Sequence, residues 1–120
     1  MGTRNMNGET LEILVDGQVV LTLTERMADE TMEIAVAGEV RNEAAHDFED
    51  ELMAAFSVCR SVRLDLHGVT YLASLAMRAL LSVQQLLDET GGTLTVVRLS
   101  EPVRAIFAEA GFLDILDGEE

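Results

Sequence analysis

Two histidines, one cysteine and many carboxylates are the groups in this chain that could do chemistry, and their spacing denies most of it. His46 and His67 lie far apart in sequence, and neither keeps metal-ligand spacing to another His or Cys. His46 reads as a surface residue beside an acidic helix face, and His67 as part of a strand-to-loop turn before Gly68. Cys59 follows the first helical segment with Ser57 and Arg60 nearby. A helix C-terminus disfavours the thiolate that a nucleophile needs, so Cys59 is expected to be buried and inert. Being alone, it has no partner for an internal disulfide. There is no G-x-S-x-G elbow, no G-x-G-x-x-G and no P-loop. The acids form no recognisable catalytic pair. These residues assign no catalytic group, no metal and no cofactor, and the chain is read as not an enzyme.

Composition narrows the partners. The 120 residues suit one domain, and with 48% apolar residues but only 4% aromatics the core must be aliphatic. Few aromatics also argue against stacking platforms for bases or sugars. The net charge is −14, and all eight basic residues are Arg. A nucleic-acid backbone or an anionic membrane surface would be repelled, whereas a basic protein surface would be steered toward the chain. Without Lys there is no Schiff-base chemistry and no Walker-type phosphate lysine. No apolar run reaches the ~18 residues of a membrane span, and the polar N-terminus lacks the apolar stretch of a signal peptide. The expected setting is a bacterial-type cytoplasm, with no direct membrane insertion.

The elements that must carry these residues follow from periodicity. Leu11, Ile13 and Val15 alternate with Glu12, Leu14 and Asp16, Asp16-Gly17 signals a turn, and Val19–Thr24 reads as the return strand. A polar stretch, Glu25–Glu30, separates it from an alternating run, Met32–Ala37, that stops at Gly38. Between Asn42 and Ser57 the period becomes helical, with Ala45, Phe48, Leu52 and Phe56 on one stripe and Asp47, Asp50 and Glu51 opposite. Asn42 is placed as its N-cap and Glu43 in its first turn. Ser61–Leu66 is a strand with Val62, Leu64 and Leu66 on one side. His67-Gly68 turns the chain, and Val69–Leu72 runs on to a helix beginning near Ser74. That helix buries Ala76, Leu80, Val83 and Leu87, with Leu81 flanking, and stops at Gly91-Gly92. Thr93–Leu99 is a further strand. Ser100 caps a last helix with Pro102 near its start and Val103, Ile106 and Phe107 buried; Gly111 ends it, and Phe112–Leu116 packs back. Strands alternating with helices imply at least one parallel pair with right-handed crossovers. The reading is a flexible tail over residues 1–10 and one α/β domain over 11–117, a mixed sheet of about four to five strands flanked by three to four helices. An exposed edge in the Leu11–Leu23 hairpin could pair with a second copy in a homodimer.

The run Leu64-Asp65-Leu66-His67-Gly68-Val69-Thr70-Tyr71-Leu72-Ala73-Ser74-Leu75-Ala76-Met77 resembles the L-D-L-S-G-V-T-F-I-D-S-S-G-L segment of STAS domains, the sulfate transporter and anti-sigma-factor antagonist family. Val36-Ala37-Gly38-Glu39-Val40 looks like that family's strand ending in G-E-L. Ser100–Phe107, followed by Gly111–Leu116, is similar to its C-terminal helix and trailing apolar segment. The three blocks keep order and spacing from about Val19 to Leu116.

The resemblance implies a domain that works by protein–protein contact. In the antagonists a partner-switching kinase binds the domain and phosphorylates a hydroxyl in the D-S-S-G segment, adding roughly two negative charges at a helix start. Here the family's Asp falls on Ala73, its first Ser on Ser74, the usual phospho-acceptor on Leu75 and the Gly on Ala76, while the acid that follows G-E-L is Arg41. The expected partner contact is therefore Arg41, Ser74, Leu75, Ala76, Met77 and Arg78. Ser74 is the hydroxyl left to accept phosphate, and it is read first as an N-cap. Two partners compete: an anti-sigma-factor kinase-like ATPase in transcription regulation, or the larger complex of a phospholipid-trafficking ABC transporter, to which this chain would be an accessory subunit.

Overall fold

The computed structural model describes residues 10–110. The elements run β1 (Thr10–Val15), β2 (Gln18–Ala28), β3 (Thr31–Val40), α1 (Asn42–Val58), β4 (Ser61–Leu72), α2 (Ser74–Thr90), β5 (Thr93–Val97) and α3 (Glu101–Ala110). The five strands make one mixed sheet in the order β1-β2-β3-β4-β5, antiparallel through β3 and parallel from β3 to β5. This is the α/β architecture expected, with both parallel pairs joined by helical crossovers. The helices α1 and α2 pack on each other, so both crossovers lie over one face of the sheet, and α3 packs against β4. Of the tail expected over 1–10, residues 1–9 lie outside the described residues, as do the stop at Gly111 and the packing of Phe112–Leu116, while Thr10 is corrected to the first residue of β1.

Alternation decides which face is covered. Leu11, Ile13, Leu21, Leu23, Ile34, Val36, Leu64 and Leu66 are buried beneath the helices with Phe48 and Leu52 of α1 and Leu80 of α2. Burying one such side chain contributes about 1.5–3 kcal/mol, so this aliphatic face is the main term holding the layers together. The opposite face carries two lateral rows set by register. Arg26, Glu33, Arg63 and Thr95 form one; Thr24, Ala35, Asp65 and Val97 form the next. Arg26, Thr24, Ala35 and Arg63 are exposed, so this second face stands open over β2, β3 and β4.

Three turn expectations are corrected. The polar stretch from Glu25 is not a separator: β2 continues to Ala28, and the turn lies at Asp29-Glu30. Polar composition hid a strand whose Glu25 is buried and whose Arg26 pairs across to Glu33 at 2.6 Å. Gly38 does not end β3, which runs on to Val40 through an irregular register between Gly38 and Glu39. Nor does His67-Gly68 turn the chain. The register jumps from Ala35–Asp65 to Ala37–Gly68, an extra residue absorbed as a bulge within one long strand. Cys59 is buried as expected, its thiol 3.0 Å from the Glu30 carbonyl and 3.2 Å from that of Ser61.

Candidate functional site

Parallel β3 and β4 each deliver the chain directly into a helix, so α1 and α2 begin side by side at one end of the sheet. Val40 and Leu72 are register partners there, and the Ala73 N–H donates to the Val40 carbonyl at 2.9 Å. This bond clamps the two strand ends and fixes the spacing of the helix starts.

Both N-cap residues differ from those expected. Arg41 (φ −76°, ψ 165°) and Ala73 (φ −72°, ψ 162°) are the extended caps, and neither helix has a side-chain cap. Asn42 and Ser74 are each one residue inside the helix. At α2 the clamp accounts for this, since tying Ala73 to Val40 makes Ala73 the last extended residue. In both helices the first turn closes on the cap carbonyl, Arg41 accepting from Ala44 and Ala73 from Met77 at 3.0 Å each. Ser100, by contrast, caps α3 as expected. Its Oγ accepts from the Val103 N–H at 3.4 Å and donates to the Val69 carbonyl. Ser100→Ala is therefore expected to lower stability by about 1–2 kcal/mol, and Ser74→Ala by less than about 0.5 kcal/mol. Urea denaturation of both variants checks this; equal losses would refute the cap assignments.

Between the helix starts lies an open groove of about 260 Å³, lined by Asn42, Ala45, His46 and Glu49 of α1 and Leu75, Arg78, Ala79 and Ser82 of α2. Four of the six expected contact residues stand on this surface: Arg41, Ser74, Leu75 and Arg78 are exposed. Ala76 and Met77 do not join them. At 0% and 4% exposure they face inward and hold α2 onto the core, because they fall on the same stripe as Leu80. Leu75 is 48% exposed, a large apolar side chain in the first turn of α2.

Opposite charges meet at this end: Arg41 and Arg78, with two helix N-termini that each present roughly half a positive charge, stand among Glu39, Glu43 and Glu49. Arg41 Nε donates to Glu39 Oε1 at 2.9 Å. That hydrogen bond, reinforced by the Glu39 charge, raises the Arg41 guanidinium above its ordinary pKa, so it stays cationic throughout. The pair is exposed, so it orients Arg41 across the helix start more than it stabilises the fold.

Two residues of this surface escaped the sequence reading. His46 lines the groove and lies 3.4 Å from Asp50 on the same helix. Tyr71, register partner of Glu39, is 49% exposed at the same end of the sheet. It is the chain's one tyrosine, and a solvent-facing ring of a type enriched at interface hot spots was the available signal. The groove holds no nucleophile and base in bonding geometry. Among the described residues, no three His, Cys, Asp or Glu side chains gather to hold a metal ion, and no helix is long and apolar enough to cross a membrane.

Solved structures with the same fold include an anti-sigma factor antagonist from Mycobacterium paratuberculosis, at 20% identity and a TM-score of 0.72, covering 82% of this chain and 84% of that one. The unphosphorylated form of the anti-sigma factor antagonist SpoIIAA superposes with a TM-score of 0.67 at 17% identity, covering 82% of this chain and 87% of that one. The Bacillus cell fate determinant SpoIIAA in its phosphorylated form gives 0.63 at 16%, covering 82% and 90%. A sequence comparison with curated proteins finds no match. Residues 23–117 match the family model described as "Mlab, STAS domain", from the middle of β2 past the end of α3, and the chain therefore belongs to the STAS-domain family.

Proposed function

We propose that this domain is a non-enzymatic docking module of the cytoplasm that binds a partner protein through the α1–α2 end, at Arg41, Ser74, Leu75 and Arg78, without phosphate at the family's usual position. The observation that carries this is Leu75. In the motif resemblance it falls where the family carries its phospho-acceptor; in the structure it is half-exposed at the helix start, and it has no hydroxyl. The partner is of the anti-sigma-factor class, as the names of the structural neighbours suggest; its serine-kinase-like character and the setting in transcription regulation are what the family resemblance adds. Arg41 and Arg78 would meet carboxylates of that partner, while Leu75 and Tyr71 supply the apolar centre.

A second reading is favoured by the permanence of that apolar contact. A surface that cannot be switched by charging Leu75 suits a fixed accessory subunit, such as that of an ABC-type phospholipid-trafficking complex. Co-purification of the tagged chain from its source organism, with partners identified by mass spectrometry, separates the two. A histidine-kinase-like ATPase supports the first and an ABC ATPase the second; recovery of neither kind of protein refutes both. Incubating the chain with a captured kinase and ATP is expected to leave residues 72–77 unmodified, and phosphate on Ser74 would refute the unswitched contact.

A further inference from the structure

The open face of the sheet carries a second cleft, far from the helix starts in the register of the strands. It holds about 540 Å³ and is rimmed by Arg26, Arg63 and Arg98 with Glu33 and Asp65, over a floor of Ala35. Three of the chain's eight basic residues meet here. Against two carboxylates they leave a local surplus of one positive charge, on a protein whose net charge is −14.

The arginines are unequally occupied. Arg26 is held by Glu33 at 2.6 Å. Arg98 lies 3.4 Å from Asp65, well beyond the ~2.7–2.9 Å of a strong charge-assisted bond. Arg63 stands next to Glu33 in register and has no ion pair or hydrogen bond of its side chain among the described residues. Arg98 also takes a left-handed backbone (φ 56°) at the end of β5. For a long side chain that conformation is uncommon, the kind of strain that gathers at functional sites. Ala35, exposed between Thr24 and Asp65 in its row, makes the depression that the guanidiniums surround.

We propose that this cleft binds a small soluble anion carrying a phosphate group. A carboxylate presents two oxygens in one plane, whereas a phosphate presents its oxygens tetrahedrally and can accept from forks that converge from several directions, as these three guanidiniums do. The volume exceeds that of bare phosphate and suits a phosphomonoester of a small metabolite. A polyanion or an anionic bilayer is disfavoured, because it would bring its charge against the whole acidic surface; a small anion meets only the cleft, within a Debye length of ~8–10 Å.

The test is calorimetric titration of the full chain with inorganic phosphate and with glycerol 3-phosphate at constant ionic strength, paired with amide NMR. Saturable binding of both is expected, tighter for glycerol 3-phosphate, with shifts centred on Thr24, Ala35 and Val97. Arg63→Gln should weaken binding about tenfold or more, with Arg63→Lys intermediate because it keeps the charge and loses the fork. Glu33→Gln should tighten binding several-fold by releasing Arg26, while Glu89→Gln, the same charge change at the far end of α2, should do nothing. No saturable binding at millimolar ligand, an unaffected Arg63→Gln, or binding to phosphatidic-acid vesicles without binding of glycerol 3-phosphate would each overturn the proposal. So would shifts centred instead on Ala45 and Leu75, which would place the anion in the α1–α2 groove.

Discussion

Gly38→Ala is expected to cost roughly 3–5 kcal/mol of folding stability, a large part of the ~5–15 kcal/mol that holds a domain of this size. Gly38 has φ +114°, a backbone that side-chain-bearing residues rarely adopt, and a Cβ placed there would lie 2.3 Å from the Val20 carbonyl oxygen and 3.1 Å from Leu21 Cα. The obstruction is backbone of the paired strand, so no rotamer relieves it. Strain of this kind costs about 1–3 kcal/mol, and forcing β2 away from β3 adds a comparable overpacking term. Gly17 supplies the comparison. At φ +80° it is strained in the same sense, but its Cβ would meet nothing within 4 Å, so Gly17→Ala should cost only about 1 kcal/mol. Thermal unfolding of both variants reads the difference at about 4–8 °C per kcal/mol. Equal midpoints would mean that the β2–β3 contact at Gly38 is not as close as described. The site should suffer too, because Gly38 lies just before Val40 and Arg41, which set the start of α1.

The same glycine shows where sequence reasoning stopped. Its position in a G-E-V run was legible, and so was a strand leading to it, but the strand's continuation was not. Gly usually punctuates, and only the parallel pairing of Glu39 and Val40 with Tyr71 and Leu72 holds the chain extended beyond it. His67-Gly68 misled for the same reason. A bulge and a turn share their local composition, and what distinguishes them is the neighbouring strand. The element order, the helical stripes through Phe48 and Leu80 and the Ser100 cap were all legible, since each rests on a period or a cap contained within a dozen residues.

For the site, motif spacing located the α2 start and identified Leu75, but burial split the set. Ala76 and Met77 are consecutive with Leu75 in sequence, yet a helix turns ~100° per residue, and both fall on the core side. His46 belongs to the groove through the packing of α1 on α2, a relation that no local pattern contains. The arginine cleft was still less visible. Arg26 lies on β2, Arg63 on β4 and Arg98 just past β5, and only the lateral pairing of the strands brings them to one face.

Leu75→Asp should abolish most partner capture, by about a hundredfold in affinity, while leaving the fold intact. An acid in the first turn of a helix interacts favourably with its dipole by about 0.3–1 kcal/mol, and Leu75 is already half in solvent, so folding loses little. The interface loses much more. An apolar anchor worth ~2 kcal/mol or more when truncated is removed, and a carboxylate is placed where it must be desolvated on contact. The substitution also sets a negative charge at the position to which the resemblance assigns the family's phosphoryl group. Leu86→Asp is the control: Leu86 is likewise exposed on α2 but lies outside the α1–α2 groove. Biolayer interferometry against the partner recovered by co-purification, with circular dichroism to confirm folding, gives the answer. If Leu75→Asp binds like the parent, or if Leu86→Asp binds equally poorly, the docking surface is not the α1–α2 end.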